Sequence, residues 1–178
     1  MTYGPKEGIS EDDVARLRSF LRRQPSVTAG LRQWTGDTLT FRIVRRTLRK
    51  ATPEEQEVLG GKVGTLQDRE IEFGDRAGTV LMTAQAVVAL HRLPMTLAVR
   101  VRLGKRPLGD VLSPLGFNRV MRSETVAINS DIPLAQVSIL SVQELPVAML
   151  TESYHRAAIR GEYPTLRAPI GLDDDLLD

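Results

Sequence analysis

The chain has 178 residues, no cysteine, 42% hydrophobic and only 4% aromatic residues, and a formal charge of +2. That length suits one domain, residues 1–178, with an aliphatic core. The missing cysteine excludes disulfides and Cys-ligated zinc and fits a reducing cytoplasm. No stretch approaches the roughly 18 apolar residues of a membrane span, and Met1 to Lys6 holds no apolar leader segment, so a cytoplasmic setting without membrane contact is expected.

The small net charge hides an asymmetry. Of 22 acids, four fall in Asp173-Asp174-Asp175-Leu176-Leu177-Asp178, leaving 18 against 24 bases in the rest of the chain. Such a tail cannot enter a core and is expected to be disordered. Arg42, Arg45, Arg46, Arg49 and Lys50 gather in one stretch with almost no aromatic interleaving. They read as a solvated strand face, with no nucleic acid expected as partner.

In chain order, Ser10 lies three residues before Asp13, the spacing of a helix N-cap and its acidic partner. Val14, Leu17, Phe20 and Leu21 follow at helical spacing, which predicts an amphipathic helix over 11–23 that Pro25 ends. Ser26 or Thr28 can cap a short second helix carrying Leu31 and Trp34, closed by the Gly36-Asp37 turn. Leu39, Phe41 and Ile43 alternate with Thr40, Arg42 and Val44 as in a strand. Pro53 opens a helix that Gly60-Gly61 closes.

Two strands, 65–73 and 79–90, are expected to flank a hairpin at Gly74 to Gly78. Leu93-Pro94 opens a helical stretch to Leu103, and another short helix follows Pro107. Strands are expected at 119–127 and 136–143. Glu144-Leu145-Pro146 reads as a turn before a last long strand, 147–157. Strands mostly neighbour strands through short turns, so the fold class is α+β with a mainly antiparallel sheet and helices packed on it.

Two side chains stand out by parity. Ile71 and Phe73 share a strand face, and Asp68, Glu70 and Glu72 take the other, wet one, so Arg69 points inward with Ile71. A buried guanidinium needs an anion or a set of acceptors. Arg69 is either a carboxylate clamp, which its fork geometry suits, or an inward arginine at the sheet margin that snorkels or pairs with a structural carboxylate. On the last strand Ala148, Leu150 and Glu152 share one face and Val147, Met149 and Thr151 the other. Both faces begin apolar, so the strand is central and Glu152 has apolar surroundings that raise its pKa. Glu152 is then an acid facing a ligand or the salt-bridge partner of an inward arginine, Arg69 included.

His91 and His155 are too few for a metal site, and no nucleophile elbow, phosphate loop or dinucleotide fingerprint occurs, so neither metal nor cofactor is expected.

Three segments, taken together in order and spacing, resemble the chorismate pyruvate-lyase family: Gln67-Asp68-Arg69-Glu70-Ile71, Leu103-Gly104-Lys105-Arg106-Pro107-Leu108-Gly109, and Leu150-Thr151-Glu152. Ser26-Val27-Thr28 looks like a fourth. The match runs from about Ser10 to Ala158. That family shares its fold with effector-binding domains of some bacterial transcription regulators. The resemblance implies a chorismate lyase-like fold with an internal ligand cavity under helical flaps. It also implies cofactor-free cleavage of chorismate to 4-hydroxybenzoate and pyruvate, a carbon–oxygen lyase reaction of biosynthesis.

By the same resemblance Arg69 holds the ring carboxylate, the backbone N–H groups of Val27 and Leu108 support it, and Glu152 contacts the oxygen at the breaking bond. Arg69 and Glu152 would be the catalytic pair. The chain departs from the family where a pair of arginines enters the penultimate strand, since Ala135-Gln136 stands there, and Gln85 stands where the family carries another arginine. Lost bases suit a less anionic molecule. Two alternatives follow: a related enzyme of secondary metabolism acting on another substrate in the same cavity, or a non-catalytic module binding a small aromatic or cyclic carboxylate. The true substrate, the pathway and the oligomeric state are not legible in the sequence.

Overall fold

The computed structural model describes residues 8–36 and 39–160. The acidic stretch 173–178 lies outside them. Among the described residues six α-helices and six strands follow one another as α1 (Glu11–Arg22), α2 (Val27–Thr35), β1 (Thr40–Lys50), α3 (Pro53–Val58), β2 (Thr65–Gly74), β3 (Val80–Val88), α4 (Met95–Leu103), α5 (Leu108–Leu112), β4 (Asn118–Val126), β5 (Leu134–Val142), β6 (Leu145–Tyr154) and α6 (Arg156–Arg160). The strands form one antiparallel sheet in the order β1-β2-β3-β6-β5-β4. This is the expected α+β class. No helix among the described residues is long and apolar enough to cross a membrane.

Local chemistry sets the element ends. The Ser10 hydroxyl accepts from Asp13 N at 3.2 Å, and the Asp13 carboxylate accepts from Ser10 N at 3.1 Å, closing a capping box on α1. Ser26, rather than Thr28, caps α2 by accepting from Ala29 N at 3.1 Å. Thr52 and Glu55 form a second capping box on α3, with Pro53 in the first turn where its missing N–H costs nothing. The β2–β3 hairpin is held by Thr79 N donating to Asp75 Oδ1 at 2.8 Å.

Other boundaries differ from expectation. The β5–β6 turn falls on Gln143 and Glu144, both at positive φ (49° and 64°), so Leu145 and Pro146 already belong to β6. The last strand ends at Tyr154, short of the expected residue 157, and a short helix begins at Arg156. β1 runs on to Lys50 because a bulge between Ile43 and Arg45 resets its register.

Helices α1, α2, α4 and α5 cover one face of the sheet and leave a gap between them. At one end Leu17, Phe20, Leu31 and Trp34 pack on Phe73, Met82, Tyr154 and Leu134. At the other end Leu97, Val101, Leu108 and Leu112 pack on Val88, Ala148 and Leu140. Two residue rows cross the sheet between these cores. One runs Arg46, Arg69, Ala86, Leu150, Ser138, Met121; the next runs Ile43, Ile71, Ala84, Glu152, Gln136, Glu124. Each core buries its own apolar surface, and between them these middle rows carry Arg69, Ser138, Glu152, Gln136 and Glu124.

The opposite face is partly charged. Arg42 pairs with Glu72, Arg45 with Glu70 and Asp68, and Arg49 with Asp68 and Glu55. Asp68 is only 4% exposed. Its strand face is therefore not uniformly wet, because α3 and its attached Arg49 fold over it.

Candidate functional site

The gap between the two cores opens as a pocket of about 410 Å³. Its floor is the sheet, with Leu140, Leu150, Arg119, Gln136 and Glu152. Its wall is the α1–α2 corner from Leu21 to Thr28, and Gly109 of α5 forms the rim. A Cβ placed on Gly109 would sit 3.5 Å from Ser26 Cβ, so the starts of α5 and α2 are in van der Waals contact. The first turn of α2 presents the Val27 and Thr28 N–H groups, which have no acceptor within their own helix, together with the positive end of the helix dipole.

The floor is a chain of charge-assisted hydrogen bonds. Arg119 donates through Nη2 to Glu152 Oε2 and through Nε to Ser138 Oγ at 3.0 Å, with Gln136 Oε1 at 3.5 Å from Nη2. Gln136 Nε2 donates to Glu124 Oε2 at 2.8 Å, and Arg18 Nη1 donates to Glu124 Oε1 at 2.7 Å. Burial pushes the Glu152 carboxyl above the usual carboxylate range, with Arg119 opposing. Burial also raises Glu124, but hydrogen bonds from Arg18 and Gln136 outweigh it and hold that carboxyl below the usual range. Beside Glu152 the Tyr154 hydroxyl is buried, and burial raises its pKa. Among the described residues no cluster of three or more His, Asp or Glu is placed to hold a metal ion.

The site residues read from the sequence fall into two places. Val27 and Glu152 line the pocket; Arg69 and Leu108 lie outside its lining. Arg69 is fully buried and points inward, as its parity requires. Its Nη1 donates to Val101 O at 3.4 Å and its Nη2 to Arg106 O at 2.8 Å, while Nε has no partner. Burial, with neighbouring Arg46 adding repulsion, pulls its pKa down to about 10. Arg46 donates to Arg102 O at 3.0 Å and Gly104 O at 2.7 Å. Two adjacent arginines thus hold the carbonyl-rich end of α4, where the helix dipole favours cations. Glu152 makes no salt bridge to Arg69; Arg119 is its partner. Leu108 is buried in the α4–α5 core.

Arg119 is the residue that sequence reasoning missed. Alternation on Arg119-Val120-Met121 places the valine inward, yet Val120 is 47% exposed and Arg119 faces the floor. A bulge between Met121 and Ser123 then brings Glu124 onto the same face as Met121, three positions away. The available signal was Glu152 itself, since a buried carboxylate requires a base on a neighbouring strand. At position 136 the floor carries a neutral amide, and the guanidinium comes from the adjacent strand instead.

The architecture defines a class: the chorismate lyase-like fold of effector domains from GntR-family transcription regulators. Three solved structures carry the comparison. The effector domain of PhnF from Mycobacterium smegmatis aligns with a TM-score of 0.58 at 15% identity, over 74% of this chain and 88% of that one. The C-terminal domain of the histidine utilization repressor from Pseudomonas syringae aligns at 0.53 and 12% identity, over 73% and 100%. A GntR-family transcriptional regulator from Bacillus cereus aligns at 0.52 and 13%, over 73% and 99%. No protein-family model matches the chain, and no curated protein matches it.

These neighbours correct the expected activity. The solved structures named above are regulator domains, which contradicts the expected readings as a lyase, as an enzyme and as a biosynthetic protein. The physical reason for the error is that the shared motifs build a fold used for binding as well as for cleavage.

Proposed function

We propose that the chain is a non-catalytic ligand-binding module of a transcription regulator, one domain that senses a small cyclic or aromatic carboxylate in the pocket between α2 and the sheet. One observation carries this reading: Arg119 lies on the floor beside Leu140 and Leu150 and lines the same pocket as Val27 and Thr28, the first turn of the nine-residue helix α2. In this reading the ligand's carboxylate lies between the Arg119 guanidinium and the N–H groups of Val27 and Thr28. Its ring rests on Leu140 and Leu150, and a hydroxyl or amine at its far end is accepted by Glu152. Arg69 acts at one remove, fixing the loop that brings Leu108 and Gly109 to the rim. The expectation of no nucleic-acid partner concerned this chain's own surface and does not extend to a regulator that contains it.

Calorimetric titration of a series of cyclic and aromatic carboxylates tests the proposal. At least one should bind with one-to-one stoichiometry, and Arg119→Gln should weaken it by about tenfold or more, the scale of a hydrogen bond to a charged group. Binding that ignores the substitution, or no binding across the series, would overturn it.

A further inference from the structure

Glu124 lies outside the pocket lining, yet it is tied to the pocket from one side and to the first helix from the other. On the sheet side Gln136 donates to it at 2.8 Å, and Gln136 borders Arg119 on the floor. On the helix side Arg18 donates at 2.7 Å, and Arg22 approaches to 3.7 Å. Arg22 itself lines the pocket. The α1 helix therefore meets the pocket through Arg22, which shares the Glu124 carboxylate with Arg18, and an anion in the pocket would compete with that carboxylate for Arg22.

We propose that α1 is the element that reports occupancy of this pocket, with Glu124 as the pivot. This rests on the ligand-binding reading above. In the empty site Glu124 holds Arg18 and Arg22, and through Gln136 it is coupled to Arg119. When a carboxylate enters, Arg119 and Arg22 turn to it, the Glu124 bonds rearrange, and the C-terminal half of α1 shifts on the sheet. The apolar contacts of Val14, Leu17 and Phe20 below it allow small sliding without unfolding, because one helix face is greasy throughout. For a carboxylate to bias this equilibrium it must bind the two positions of α1 unequally, and Arg22 supplies that difference.

The chain contains its own reporter. Trp34 is the single tryptophan. Two α1 side chains lie against it: Phe20, with ring centroids 5.1 Å apart, and Arg16, whose guanidinium carbon is 5.8 Å from the indole centre. Movement of α1 changes the surroundings of the indole, while the pocket lining does not include Trp34.

The experiment is paired calorimetry and tryptophan fluorescence on the full chain, titrated with cyclohexanecarboxylate, which is transparent where tryptophan is excited. The expected result is heat and a saturable fluorescence change with one common midpoint. In Glu124→Gln and, separately, Arg18→Gln, most of the fluorescence change should disappear, while the carboxylate still binds, more tightly in Glu124→Gln because Arg22 no longer has a competing carboxylate. Thermal midpoints verify that both variants are folded, and Arg18→Gln serves if Glu124→Gln is not. Heat with an undiminished fluorescence change in both variants overturns the role of α1. Absence of heat in the parent chain overturns the binding reading beneath it, and the inference falls with it.

Discussion

At the residue scale, the pocket is built around one buried ion pair whose members have different freedom. Glu152 is enclosed, with 5% of its side chain exposed, while Arg119 retains 25%. Arg119 can therefore turn to a ligand and Glu152 cannot leave. Glu152→Gln should accordingly free Arg119 and tighten binding of a carboxylate that lacks a hydroxyl by severalfold, at a stability cost of roughly 1–3 kcal/mol for the lost charged hydrogen bonds. Calorimetry and thermal melts on one variant check both signs.

A second carboxylate gives a pH test. Arg49 donates to both oxygens of Glu55, at 2.5 Å and 2.7 Å, and this holds Glu55 below its usual pKa. Its contribution is present above the unfolded value near 4.5 and is lost as pH falls through the lower folded value. The stability gap between the parent chain and Glu55→Gln should therefore be about 1–3 kcal/mol at neutral pH and close as pH falls below the unfolded value. Denaturant melts at several pH values measure it; a gap that widens in acid contradicts the assignment.

At the element scale, the end of α4 is the piece on which the rim depends. A Cβ on Gly104 would lie 2.1 Å from Arg100 O, a contact that backbone cannot yield to without moving. Gly104→Ala should cost roughly 1–3 kcal/mol and displace the carbonyls that Arg46 and Arg69 hold. The thermal midpoint and carboxylate affinity should fall together, because α5 is carried on the same loop. The β5–β6 turn offers the opposite case. Gln143 and Glu144 both adopt left-handed backbone that Asn and Gly accept more easily. Replacing the pair with Asn-Gly should raise stability by about 0.5–1 kcal/mol without touching the pocket.

Legibility follows from how each signal is encoded. Arg69 and Glu152 were visible because each sits in an unbroken period-two pattern with apolar neighbours. Arg119 and Glu124 were not, because β4 turns an exposed valine outward and a bulge between Met121 and Ser123 puts Glu124 on the floor face three positions after Met121 instead of two. The β5–β6 turn was misplaced because Pro146 looked like its corner, while the positive φ values fell on residues without glycine's signature. Helix starts fared best, since the Ser10–Asp13 cap is local, its bonds spanning three residues, and Pro53 suits a first turn.

At the scale of the whole molecule, the functional reading turns on what the two cores leave between them. Sheet order could not be read from the chain, because the link from β3 to β4 carries two helices and sends β4 to the far edge. β5 and β6 then return until β6 pairs with β3. That crossover sets β6, with Glu152, beside β3, while the β5–β6 and β4–β5 pairings bring Gln136 and Arg119 next to Glu152, in a gap that the α1–α2 and α4–α5 cores do not fill. A second hollow on edge strand β1, bordered by Arg42, Arg45, Arg46 and Lys105, is the rival location for an anion.

Amide chemical-shift mapping of the full chain with cyclohexanecarboxylate separates the two most directly. Saturable shifts gathered on Val27, Thr28, Gly109 and Gln136, absent in Arg119→Gln, are the expected result. Shifts gathered on Ile43 to Arg46 and Lys105, or no saturable shift at all, would contradict the account.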